Sequence, residues 1–143
     1  MTLPNPALPA TRVLHHISLG TTRIEASARF YDAVLAPLGL VRVWADLRPG
    51  LSGQAVGYGL PGGGDLLAIK QVGQGIPPVP GFHLALGAPS HAAVQAFHAA
   101  ALDHGGTDNG PPGLRPHYGP DYFAAFVIDP DGHRLEAVCK QAG

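Results

Sequence analysis

The chain has 143 residues, which is room for one domain with its own core and too little for two ordinary ones. Gly (20) and Pro (15) make up about a quarter of it, a level at which disorder must be weighed, yet Leu, Ile, Val and Phe contribute about 26%, enough to bury a core. A turn-rich β-containing fold is the expectation. Charged residues are only 13% and the net charge is −1, so there is no basic stripe for nucleic acid. The sole cysteine, Cys139, excludes an internal disulfide and a Cys-based zinc finger. The start has no basic and apolar leader, and no run approaches 18 apolar residues, so the expectation is a cytoplasmic protein that neither enters nor binds a membrane. The eight His against two Glu, Glu25 and Glu136, are the unusual feature.

In chain order, Val13 to Leu19 alternates as a strand and stops at Gly20-Thr21-Thr22, where Thr21 or Thr22 can cap a helix from Arg23 to about Leu38. Gly39 ends that helix. Shorter strands are expected at about 40–45, 54–58 and 66–72, with Gly62-Gly63-Gly64 as a hairpin connection. Gly73 to Pro80 reads as a connector, extended at its Pro-Pro step. Phe82 to Leu86 is the next strand; Ser90 caps a helix carrying Val94, Phe97 and Ala101, which runs to Gly105-Gly106. A weak strand near Thr107 leads into an irregular loop, Gly110 to Asp121, before strands at 122–128 and 133–139 joined by the turn Asp129-Pro130-Asp131-Gly132.

This order repeats itself. A shift of 67 positions superposes His16 on His83, Leu19 on Leu86, Gly20 on Gly87, Phe30 on Phe97 and Gly39 on Gly106, and eight of 24 positions are identical where composition alone gives roughly two. The expectation is a single domain, 1–143, of two βαβββ modules: about 12–72, a connector 73–80, and about 81–140. Neither module can bury its apolar faces alone.

Alternation then sorts the ligating residues. His16 and Ser18 face away from Ile17 and Leu19; His83 and Ala85 face away from Leu84 and Leu86; Arg134, Glu136 and Val138 face away from Leu135, Ala137 and Cys139. Two imidazoles and a carboxylate on sheet strands are a chemically sound set for a divalent metal, Zn, Fe, Mn, Ni or Co, with positions open to substrate. His91, His98 and His104 ride the second helix at its surface, His15 points to the helix side or an edge, His133 follows a turn, and Cys139 belongs to the core. Trp44 and Tyr58 are equally readable as pocket walls or packing residues. The loop after Gly110 offers Arg115 for a substrate carboxylate, with Tyr118 beside it, and His117 and Tyr122 for acid and base work.

With His16-Ile17-Ser18-Leu19, Phe30-Tyr31, Leu38-Gly39, Gly81-Phe82-His83 and the run Phe126 to Glu136 (FVIDPDGHRLE) in place, the chain resembles the vicinal oxygen chelate superfamily from about Arg12 to Lys140. That superfamily includes glyoxalase I, bleomycin-resistance proteins and extradiol dioxygenases. The resemblance implies an α+β fold in which two βαβββ modules form a cupped mixed β-sheet with helices on its outer side, often in a homodimer. It implies that His16, His83 and Glu136 bind the metal, with Glu136 also catalytic. Ala68 falls where glyoxalase I has a fourth, carboxylate ligand, and Phe126 falls where the dioxygenases carry a Tyr. The expected function is a glyoxalase-like metal-dependent lyase or isomerase acting on a small oxygen-bearing substrate. The alternatives are a metal-free sequestering protein of the bleomycin-resistance type and an Fe(II) extradiol-type dioxygenase.

Overall fold

The fold is described from a computed structural model over residues 13–75, 77 and 79–142. Among them the order is β1 (Ile17–Thr21), α1 (Ile24–Leu35) closed by a 3₁₀ turn (Ala36–Leu38), β2 (Val41–Asp46), β3 (Ala55–Gly59), β4 (Leu67–Gln71), β5 (Leu84–Gly87), α2 (His91–Asp103), β6 (Thr107–Leu114), β7 (Phe123–Ile128) and β8 (Arg134–Cys139). Two four-stranded sheets result, β1-β4-β3-β2 and β5-β8-β7-β6. In each, the first strand runs parallel to the last (β1 with β4, β5 with β8) and the remaining pairs are antiparallel, so the repeat seen in the sequence is a repeat of topology.

Each helix presents its apolar stripe to its own sheet, and the two helices also touch each other, so one core draws on both modules. Phe30, Tyr31, Val34 and Leu35 of α1 join Val94, Phe97 and Ala101 of α2, Val56, Leu67 and Ile69 of the first sheet, and Val127, Leu135 and Ala137 of the second. Each fully buried large side chain of this set contributes about 1.5–3 kcal/mol. The seam between modules is also polar. The Tyr31 hydroxyl donates to Asp129 (2.5 Å), the Thr22 amide donates to Asp131 (3.3 Å), and His133 Nε2 donates to the Gly20 carbonyl (2.7 Å).

Local chemistry explains the boundaries. The Gly39 carbon takes φ +83° as the chain leaves the 3₁₀ turn, a conformation that glycine adopts without Cβ strain. Ser90 Oγ accepts the Ala93 amide (3.0 Å), as expected for that cap. At α1 neither threonine caps the helix in the usual way: the N-cap is Arg23, its amide bonds Thr21 Oγ1, and the Ile24 amide is taken by the Gln71 side chain (2.9 Å). The Asp129–Gly132 turn closes with Gly132 N to Asp129 O at 3.0 Å, while Asp129 Oδ1 accepts the amides of Asp131 and His133.

Three expectations are corrected. Residues 110–114, read as the start of an irregular loop, belong to β6, an eight-residue strand. It tolerates Pro111 and Pro112 because it is the sheet edge, with register shifts on both sides of Gly110. β5 begins at Leu84, so His83 stands just before the strand. His133 is half-buried at the module seam rather than solvated. Ile76 and Pro78, the latter part of the predicted Pro-Pro step, and residues 1–12 lie outside the described residues.

Candidate functional site

The register of each sheet defines a row of side chains on the face opposite its helix. In the second sheet Ala85, Glu136 and Phe126 are cross-strand partners, and Gly110 continues the row. Glu136 is 2% exposed, and a buried carboxylate needs partners for its oxygens. It has them: His83 Nε2 lies 2.9 Å from Oε1, and the Tyr122 hydroxyl donates to Oε2. Burial, then the hydrogen bond and charge of Glu136, push the Tyr122 phenol up to about 12, so it carries its proton throughout the neutral range.

Aromatic rings surround this trio. The His83 ring meets Phe126 edge-on at 6.2 Å, Tyr118 packs against Tyr122 at 5.3 Å, and His117 against Tyr118 at 4.1 Å. A cavity of about 230 Å³ opens there, lined by His83, Asn109, Tyr118, Phe126 and Arg134 among others. His117 therefore reaches Glu136 only through Tyr118 and Tyr122.

Part of the Arg115 donor set is engaged within its own loop. Its guanidinium donates to the carbonyls of Gly113 (2.9 Å) and Pro111 (2.7 Å) and lies 5.4 Å from the centre of the Phe126 ring, so it braces its own loop. Tyr58 is a packing residue. It is fully buried on the helix side, its one hydroxyl proton shared between the Ala28 carbonyl (3.0 Å) and Asp32 (2.9 Å), with its phenol pushed up first by burial. The cation that alternation sets beside Glu136 is Arg134, two residues earlier on the same strand and face. Among the described residues its side chain has no ion pair or hydrogen-bond partner, and it lines the cavity next to His83.

In the first sheet the corresponding row is Ser18, Ala68, Gly57 and Trp44. The Trp44 indole lies on Gly57 so closely that a Cβ there would sit 2.1 Å from its Nε1. A carboxylate is absent from this row. His16 is exposed, with its Nδ1 2.8 Å from Nδ1 of His15, which is itself exposed rather than turned to the helix.

Among the described residues no three His, Cys, Asp or Glu side chains gather in a metal-ligand group. The chain brings together two oxygen and nitrogen donors, His83 and Glu136, whose types suit a divalent ion. It leaves the third predicted donor, His16, apart from them. Among the described residues no helix is long and apolar enough to cross a membrane.

No curated protein sequence matches the chain. Solved structures do. A glyoxalase/bleomycin resistance protein from Albidiferax ferrireducens T118 is 31% identical, covering 87% of this chain and 95% of that one with a TM-score of 0.69. A glyoxalase-related enzyme from Fulvimarina pelagi is 26% identical over 87% and 86%, with a TM-score of 0.62. Glyoxalase I from Zea mays shares the fold at 19% identity and a TM-score of 0.67, over 86% of this chain and 44% of that longer one. The family model matches residues 13–137, the paired βαβββ modules have its topology, and the chain belongs to the Glyoxalase/Bleomycin resistance protein/Dioxygenase superfamily.

Proposed function

We propose that the protein is a metal-dependent enzyme of the lyase or isomerase type that chelates a small oxygen-bearing substrate. The observation that carries this reading is the His83–Glu136 pair at 2.9 Å, with Tyr122 on the second carboxylate oxygen and a cavity in front. His83 and Glu136 would hold the ion, and His16 would be the third donor, supplied by a second copy of the chain in a homodimer. Support for that pairing is the exposure of His16 beside Val13 and Leu14, and of Trp44 on the outer face of the first sheet, apolar surface that a partner would cover.

A divalent ion at such a site acts as a Lewis acid toward a developing oxyanion. The chain's own residues do the rest. Glu136 is held in one orientation by His83 and Tyr122. Tyr122 holds a proton on its hydroxyl, close enough to hand it to a substrate oxygen that displaces Glu136 from it. Phe126 and Tyr118 supply the aromatic wall beside the reacting centre.

Metal content decides the matter. Elemental analysis of the purified protein is expected to show about one divalent ion per chain, lost in His83→Ala, His16→Ala and Glu136→Ala. Unchanged metal in all three variants, or none in the parent under metal-replete growth, overturns the reading.

One observation favours a second reading, a metal-free binding protein: the Trp44 indole on Gly57, with Ala68 next in the row, makes an apolar platform where a ligand carboxylate would otherwise stand. Undiminished binding of a planar aromatic ligand in the presence of a chelator, lost in Trp44→Ala, marks that alternative.

A further inference from the structure

A larger cavity, about 460 Å³, lies at the module seam and shares its Phe82 and Arg134 walls with the pocket in front of His83. Its walls come from both halves of the repeat and from Pro77 and Val79 of the connector: Ser18 and Leu19 of β1, Phe82 before β5, Ile128 at the end of β7, and His133 and Arg134 where β8 begins. A space of this volume accommodates a small organic molecule rather than a few waters. Its surface is apolar apart from a few groups. His133 Nε2 is already engaged by the Gly20 carbonyl, which leaves His133 Nδ1, the Ser18 hydroxyl and the Arg134 guanidinium as the polar side-chain groups with no hydrogen-bond partner among the described residues.

An arginine at the mouth of an apolar cavity is a specific arrangement. The guanidinium is permanently charged and offers paired N–H donors that match a carboxylate. The nearest acid on the same face of β8, Glu136, does not compete for it, because its two oxygens are taken by His83 and Tyr122. Asp129 is occupied by Tyr31 and by the amides of Asp131 and His133, and Asp131 accepts from the Thr22 amide. The cation is therefore left to whatever enters the cavity.

We propose that this cavity binds an amphipathic carboxylic acid, its carboxylate on Arg134 and Ser18 and its hydrocarbon part between Leu19, Phe82 and Ile128. One guanidinium and a mainly apolar wall match a monoanion with an apolar body; a phosphate dianion would be left with one charge uncompensated. Arg134 and Phe82 also border the pocket in front of His83, but none of the groups used is a proposed metal donor, and a titration with chelator present reads binding without the metal.

Calorimetric titration of the full chain in the presence of a chelator tests it, with octanoate, 1-octanol and octyl phosphate as probes. Octanoate is expected to bind at least tenfold more tightly than 1-octanol. Arg134→Gln should bring octanoate to the octanol level, and Arg134→Lys should retain part of the difference. Because Arg134 is exposed, both variants are expected to melt with the parent, and Ser18→Trp, which fills the cavity from an exposed position, should abolish binding of all three. Equal binding of octanoate and octanol, octanoate binding that survives Arg134→Gln, tighter binding of octyl phosphate, or no binding of any probe each overturns the proposal.

Discussion

Across the outer face of the first sheet runs the row Ser18, Ala68, Gly57, Trp44; across the second runs Ala85, Glu136, Phe126, Gly110. Both rows contain an aromatic ring lying on a glycine, but the partners have changed strands. In the first sheet the edge strand β2 supplies Trp44 and β3 supplies Gly57; in the second, β7 supplies Phe126 and the edge strand β6 supplies Gly110, where a Cβ would stand 3.0 Å from the Phe126 ring. The duplicated scaffold thus keeps a close-packed aromatic floor in each half while its chemistry diverges. One half carries a buried carboxylate with His and Tyr partners, and the other carries none. An inherited backbone register decides where a functional side chain can stand; the side chains of the row decide what stands there.

The sharpest way to break this contrast is to make the rows alike. Ala68 is 2% exposed, and Ala68→Glu would bury a carboxylate whose neighbours along the row, the Ser18 hydroxyl and the Trp44 indole, are neutral, with no cation or histidine among them. A buried charge without a charged partner is among the few changes with a large cost, about 2–4 kcal/mol here, read by urea denaturation. Adding Trp44→Ala opens that position to solvent and is expected to recover most of the loss. A fully stable single variant would show that the first row is not packed as described.

A second comparison concerns the join between the modules. Tyr31 belongs to the first and Asp129 to the second, and Tyr31→Phe leaves the buried Asp129 short of one donor, at about 1–3 kcal/mol at pH 7. Burial, then the Asp129 charge, raise the Tyr31 phenol well above 10.0. The unfolded chain therefore loses this proton at lower pH than the folded one. The stabilisation is complete below about pH 10 and falls as pH rises from there toward the folded value. Denaturation at pH 7 and at pH 11 is expected to show a steeper alkaline loss in the parent than in the Phe variant. Parallel pH profiles would remove Tyr31 from the seam.

Much of the architecture was legible because it was written twice. The 67-residue offset anticipated the matching topologies, and alternation assigned Glu136 and His83 to one face. What escaped has physical reasons. The strand β6 was obscured by Pro111 and Pro112, which disqualify a central strand and are harmless at an edge. Tyr58 sits in a strand buried on both sides, AVGYG, where local pattern does not say which face meets the helix. The polar loop around Arg115 is visible in the sequence, but the engagement of its guanidinium by the Gly113 and Pro111 carbonyls is not, because no sequence pattern reveals it. The signal for Arg134 was present: the period of two that turned Glu136 outward turned Arg134 outward with it.

The smallest expected effect tests the floor of the first row. Gly57→Ala adds a single methyl group, but it would lie 2.1 Å from Trp44 Nε1 and 2.4 Å from Cε2, closer than atoms can approach. Something has to move, and the backbone of β3 is held by ladders on both sides whereas the indole is 39% exposed at the sheet edge. The ring is therefore expected to swing away into water, at a stability cost within about 1 kcal/mol because it loses contacts on one face only. Trp44 is the sole tryptophan, so the intrinsic fluorescence reports this one ring. Its emission should shift to the red and become more accessible to iodide quenching in the variant. An unchanged emission maximum would mean that the indole does not rest on Gly57, and the likeness between the two floors would fall with it.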